Sequence, residues 1–242
     1  MGHIVGYPRT MVSLPEHLQA KPAGRHRLSP EVRAEHQRER ILDAAIEVFA
    51  ERGYQGTTID DIVAAAKVGV GTFYELFDNK PDCFVQAYER IVTDVRERIA
   101  SAVPAEADWP EQACAALRAL LELIEAEPVR AKVALVEVQT AGPEALTRHE
   151  ETVDGVIPLL ARGRAENPVL AEVPELPSHL EEAIVGGLAW LLQQRLAQGE
   201  FEGVEAHLPD VLEIALVPYV GREAIAGLIA AGGQDGSSVA AA

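Results

Sequence analysis

The chain is 242 residues long, 48% hydrophobic but only 5% aromatic, with a formal net charge of −17. That length admits one large domain, or a small and a medium one, and a composition led by Ala, Leu, Val and Glu favours helices over sheets. No apolar run reaches the ~18 residues of a membrane span, and residues 1–20 lack a signal-peptide core. Cys83 and Cys114 show neither CxxC spacing nor a neighbouring His cluster, which argues against a zinc site and a disulfide framework. A cytoplasmic protein without membrane contact, metal or cofactor is expected. The acidity lies downstream, because residues 1–52 hold eight Lys/Arg and are close to charge balance. Only charges within about a Debye length, ~8–10 Å, act on an anionic partner, so the global charge does not exclude one.

Residues 1–28 carry Pro8, Pro15, Pro22 and Gly24 without periodicity and read as a disordered arm ending in Arg25-His26-Arg27. That basic end is either a solvated tail or a contact to phosphate or a minor groove. Ser29-Pro30-Glu31 starts a helix, with Ser as N-cap and Pro at its first position. Its apolar stripe Ile41, Leu42, Ala45, Val48, Phe49 ends at Arg52-Gly53, a basic residue followed by a terminating glycine. Thr58-Ile59-Asp60-Asp61 has the form of a capping box with Asp in place of Glu, opening a short helix to about Ala66. A second short helix is expected from Val70 to Phe77, and a long one from Lys80 to Ala102 capped by Asn79. Further helices are expected at 109–126, 129–140, 143–165, 178–198, 204–218 and 221–231, separated by Pro and Gly. Residues 232–242 read as a disordered Gly/Ser/Ala tail.

Two short helices joined by a tight turn and propped by an amphipathic first helix make a helix-turn-helix. Ile59, Ile62, Val63, Val68, Phe73 and Phe77 supply its core, and Ala64, Ala65 and Ala66 allow close approach. The stretch of roughly residues 38–90 resembles the TetR family DNA-binding domain. The resemblance rests on Ala45, Phe49, Gly53, Thr58, Ile59, Ile62, Ala65, Val68, Gly71, Thr72, Tyr74, Phe77 and Lys80. Two departures are Gly69, where Ser is common, and Leu76, where His is common. The resemblance implies phosphate contacts by Thr58, Thr72, Tyr74 and Lys80, and a recognition helix entering the major groove from Val70. Hydroxyls, helix-start N–H groups and a lysine suit phosphate. On the other reading, Thr58 is only a cap and Tyr74 only a half-buried aromatic. Val70, Gly71 and Thr72, with Lys67 in the turn, offer no bidentate pair to a base, so operator specificity leans on thymine methyls and DNA shape.

The resulting expectation is an all-α protein. It has a disordered arm (1–28), an N-terminal three-helix helix-turn-helix domain (29–80) and a larger C-terminal helical domain for ligand binding and dimerisation (81–231). By resemblance its partners are double-stranded operator DNA, a small-molecule effector and a second copy of itself. Residues 183–192 are apolar nearly all round and must be covered on more than one side. Val185, Gly186, Ala189 and Trp190, with Leu212, are therefore expected at a homodimer interface, against the alternative of an internal core helix. Leu117, Leu121, Val133, Glu137, His149, Val153 and Ile157 are the expected lining of a mostly apolar effector pocket. The chain is expected not to be an enzyme, since it shows no GxSxG, HExxH, P-loop or GxGxxG pattern. A helical adaptor would share the acidic bulk but would leave Thr58, Tyr74 and Lys80 unexplained together.

Overall fold

A computed structural model describes residues 29–166, 176–200 and 203–229. Arg25, Arg27 and the 232–242 tail lie outside the described residues. Within them the chain is helical: α1 (Pro30–Gly56), α2 (Ile59–Ala66), α3 (Val70–Leu76), α4 (Lys80–Ala102), α5 (Trp109–Ala126), α6 (Pro128–Leu135), α7 (Pro143–Asp154), α8 (Ile157–Glu166), α9 (Leu180–Ala197) and α10 (Leu208–Val220). Short 3-10 turns occupy Glu137–Thr140 and Val204–His207, and residues 222–229 are helical again. No strand occurs among the described residues, and no helix there is long and apolar enough to cross a membrane.

Local chemistry sets the boundaries. Ser29 caps α1, its side chain accepting from the Val32 N–H at 3.3 Å. Gly53 breaks α1 at φ 75°, ψ 158°, a conformation that costs a side-chain-bearing residue but not glycine. Asn79 caps α4 through the Asp82 N–H at 2.9 Å, with Pro81 tolerated in the first turn. Asp108 and Glu111 form a reciprocal capping box on α5. Two expected helices are divided. The 129–140 span leaves α-geometry after Leu135 and tightens into the 3-10 turn, and the 143–165 span breaks at Gly155-Val156.

Two apolar cores result. The first gathers Ile41, Phe49, Ile62, Phe73, Phe77, Phe84 and Ile91 from α1–α4, and also Val133, Val138, Ala141 and Ala145 from beyond them. At ~1.5–3 kcal/mol for each fully buried large side chain, these residues dominate the stability of the head. Phe49, Tyr54 and Phe84 pack as a ring trio with centroids 5.1–5.7 Å apart. The second core gathers Trp109, Leu121, Leu160, Ile184, Leu212 and Tyr219. Inside it Arg164 grips Glu181 through paired contacts at 3.0 and 2.9 Å, and Tyr219 donates to the same carboxylate at 3.1 Å. Burial pushes the Glu181 carboxyl up, but the bonds from Arg164 and Tyr219 outweigh it and hold the group ionised, below its ordinary range.

Candidate nucleic-acid interface

The helix-turn-helix is built as its sequence implies. The Thr58 hydroxyl accepts from the Asp61 N–H at 3.2 Å, and the Asp61 carboxylate accepts from the Thr58 N–H at 2.9 Å. The Thr58 hydroxyl, donating to the Asp61 carboxylate, and the Thr58 N–H together hold the Asp61 carboxyl below the usual carboxylate range. Lys67 closes α2 in the left-handed region at φ 53°, ψ 47°, a geometry that makes the turn tight enough to start α3 three residues later. Arg40 on α1 donates to the carbonyl of Ala66 at 2.6 Å, holding the turn from behind. Ile62, Val63, Phe73 and Phe77 are buried as expected. Of the three consecutive alanines only Ala66 is buried; Ala64 and Ala65 are exposed.

Among the described residues the outer face of α3 is uncovered. Val70 is 48% exposed and Tyr74 58% exposed, while Phe73 is fully buried. Nothing lies within 4 Å of where a Cβ would stand on Gly69 or Gly71. Gly69 occupies the N-cap without a side-chain bond, as the loss of a serine hydroxyl implies. At ~100° per residue, Gly71 and Glu75 fall within ~20° of the direction opposite Phe73, flanked by Thr72 and Tyr74. Glu75 is exposed. Single-residue propensity gives no hint of it, but counting two residues either way from Phe73 finds it.

The expected phosphate contacts divide into two kinds. Tyr74 stands edge-on to Phe73 with ring centroids 5.5 Å apart, and its hydroxyl is free among the described residues. Lys67 is exposed and unpaired there as well, and Thr72 is half-buried with its N–H bonded to Gly69 O at 3.0 Å. Thr58 and Lys80 are already engaged. The Thr58 hydroxyl donates to Asp61 at 2.6 Å, so its one proton is in use. Lys80 Nζ donates to the carbonyls of Tyr54 and Thr57, each at 2.9 Å, and lies 4.2 Å from the Tyr54 ring centroid. Burial lowers its pKa. Two of its three donors therefore tie down the end of α1, leaving one for any outside partner.

That same end of α1 is held from the other side by residues for which the sequence carried no signal. Lys132 Nζ donates to Ala50 O at 2.7 Å, and Gln55 Nε2 donates to Thr140 O at 2.8 Å. Glu137, expected to line a pocket, instead turns its carboxylate onto α1. Its Oε2 accepts from the Tyr54 N–H at 2.8 Å, in the space left open beside Gly53. The break at Gly53 exposes a backbone donor, and a carboxylate is the strong partner for it.

Residues 41–87 match the family described as bacterial regulatory proteins, tetR family. An uncharacterised HTH-type transcriptional regulator of Bacillus subtilis, YhgD, is 30% identical over 93 residues, which are 38% of this chain and 49% of that protein. The fatty acid metabolism regulator protein of the same organism is 27% identical over 120 residues, 50% of this chain and 62% of that one. Among solved structures, the regulator FadR from B. subtilis, in complex with stearoyl-CoA, superposes with a TM-score of 0.63 at 23% identity, covering 76% of this chain and 98% of that one. Residues 41–87 are thus those of a TetR-family DNA-binding domain. The matched curated relatives are spanned over about half of their length, so the family assignment rests on the DNA-binding head, and the structural likeness adds the fold of the remainder.

The predicted effector residues do not form one group. Leu121 is buried in the second core, and Leu117, Val153 and Ile157 pack against it half-buried. Val133 is fully buried in the first core. His149 sits between α7 and α4, its Nδ1 3.3 Å from the Tyr88 hydroxyl, and burial lowers its pKa. Two clefts among the described residues lie elsewhere and are charged: one of about 520 Å³ beside Glu125, Arg195, Glu200 and His207, another of about 500 Å³ beside Arg40, Asp43, Glu47, Lys67 and Arg130. The predicted dimer residues also separate. Val185 is 7% exposed and Leu212 fully buried in the chain's own second core, so neither is available to a partner. Gly186 and Trp190 are exposed, and Ala189 is partly so. The all-round apolar helix α9 thus covers one side internally and presents the other, where Trp190 is 57% exposed beside Leu191.

Proposed function

We propose that this TetR-family regulator is a homodimeric repressor that leaves a palindromic operator when a largely hydrophobic small molecule binds its C-terminal half. One observation carries the reading: the outer face of α3 is uncovered, with Val70, Gly71 and Tyr74 presented to solvent by a helix whose inner face is locked through Phe73 and Phe77. A recognition helix in the major groove needs such a face, and the flanking Tyr74, Thr72 and Lys67 suit phosphates.

Trp190, Leu191 and Ile214 on α9 and α10 are large, apolar and exposed. Such residues on a regulator fit a two-fold contact between helix pairs, which sets two recognition helices on one palindrome. Half-buried Leu117, Val153 and Ile157, with Leu188 and Leu192 of α9, form an apolar margin to the second core. A margin of that kind suits an apolar ligand that wedges α5, α7 and α9. The stearoyl-CoA bound by the FadR of similar fold supports a ligand with a long apolar part. In a two-state mechanism the effector shifts DNA affinity by no more than its preference for the released state.

Selection of bound duplexes from a random pool by the ligand-free protein tests the reading. Enrichment of a palindrome, followed by its release on adding a long-chain acyl-CoA, is the expected outcome. A protein that enriches no sequence at low salt is not an operator-binding regulator. Release by small polar metabolites alone would refute the hydrophobic effector.

A further inference from the structure

We infer that Glu75 reads a cytosine in the operator through its carboxylate. The inference rests on α3 being the recognition helix. Glu75 and Gly71 point away from the core, whereas Thr72 and Tyr74 lie on the flanks. On a helix seated in the major groove the flanks meet the sugar-phosphate walls and the central line meets the base edges. Side chains on a helix lean toward its N-terminus, so Glu75 extends over position 71. Gly71 has no side chain, and the space beside it is open to 4 Å. Nothing on the helix therefore stands between the carboxylate and the floor of the groove.

The electrostatics narrow the partner. Glu75 makes no ion pair or hydrogen bond among the described residues. Its neighbours one turn away are Gly71, Thr72, Asp78 and Asn79, none of them basic. An unneutralised carboxylate facing DNA is repelled by phosphate and by the acceptors N7 and O6 of guanine, and O4 of thymine. The donors on the groove floor are the amino groups of cytosine and adenine. The adenine amino group has the N7 lone pair beside it, which opposes a carboxylate. The cytosine N4 amino group is flanked by a C–H. Cytosine is the base that a bare carboxylate accepts.

The test is duplex selection with the full chain in three forms: unaltered, Glu75→Gln and Glu75→Ala. The exposed position keeps all three folded, which circular dichroism checks. The unaltered chain should enrich a palindrome with cytosine at one fixed position of each half-site. Glu75→Gln should move that position toward adenine, because a glutamine amide matches the adenine N6 and N7 pair. Glu75→Ala should lose preference there and nowhere else. On the selected operator, anisotropy titration should show affinity falling about 5- to 100-fold for Glu75→Ala, as for a mismatched base pair, while binding to an unrelated duplex strengthens. Identical preferences in all three forms would overturn the inference and leave the regulator intact. A failure of the unaltered chain to select any sequence would sink the regulator reading, and this inference with it.

Discussion

Replacing Glu137 by alanine should loosen the head of the molecule from its body. The carboxylate is the partner of the Tyr54 N–H, at 2.8 Å, at the point where Gly53 takes the helix out of register. Tyr54 itself is 6% exposed, so its N–H has little access to replacement water. A hydrogen bond to a charged group contributes ~1.5–3 kcal/mol, and an orphaned buried donor costs ~1–3 kcal/mol. Partial exposure of Glu137 places the expectation in the lower half, about 1–2 kcal/mol. For a chain of this size each kcal/mol lowers Tm by ~2–4 °C, so the fall should be ~2–8 °C. Differential scanning fluorimetry reads it directly. Glu137→Gln keeps an acceptor oxygen and should recover more than half of the loss. Because the lost bond joins the 3-10 turn to α1, amide exchange at Tyr54 and Gln55 should accelerate in the alanine variant, while exchange in α9 stays unchanged. An alanine variant with an unaltered Tm would refute the claim that this contact fastens α1.

A β-carbon on Gly163 would lie 2.3 Å from the Trp109 ring, which is itself held by its Nε1–H donating to Leu159 O at 2.9 Å; Gly163→Ala should cost about 1–3 kcal/mol or more by chemical denaturation. Lys67 bears the strain of a left-handed residue, so Lys67→Gly should stabilise the fold by about 0.5–1 kcal/mol while weakening DNA binding and lowering its salt dependence. Tyr74 is exposed, so Tyr74→Ala should leave Tm within a degree and still reduce operator affinity in a gel-shift titration. Burial holds His149 below the usual histidine value, so the unfolded chain takes up its proton first as pH falls. The stabilisation is present above pH ~6.5 and lost below it, and Tm should drop less between pH 7 and 5.5 in His149→Gln than in the unaltered chain.

The head of this protein was readable from sequence because its signals are local. A cap, a positive-φ glycine and a run of apolar positions at helical spacing each act within a turn or two. Thr58-Asp61 and Asn79-Asp82 therefore form as their spacing implies. The C-terminal half was readable only as helices. Its pocket and interface depend on which of several apolar faces turns inward, and α9 is apolar on all of them. Leu212 and Trp190 have the same hydrophobic character in sequence, yet one is sealed inside and the other lies open. The bond that Glu137 makes was hidden for the same reason. Among Val133, Val136 and Val138 it looked like a polar group in an apolar wall, but its partner is 83 residues earlier, where Gly53 leaves a donor uncovered.

The internal use of basic side chains bears on how such an acidic chain binds DNA. Arg40, Lys80 and Lys132 each donate to backbone carbonyls of the head, and Arg52 pairs with Asp61. These cations brace α1 and the turn, although Arg40 and Arg52 are themselves exposed. Among the described residues of the head, Arg33 and Lys67 are exposed with side chains that make no bond, against a net charge of −17 for the chain. Non-specific affinity for DNA grows with the number of phosphates neutralised. A head with few free cations and a central carboxylate on its recognition helix should bind random duplex weakly. Its occupancy then depends on base and shape complementarity at the operator. Rigid placement of α3 matters more for such a protein than for one that clings to any duplex, and the contacts of Lys80, Lys132 and Glu137 on the end of α1 supply that placement.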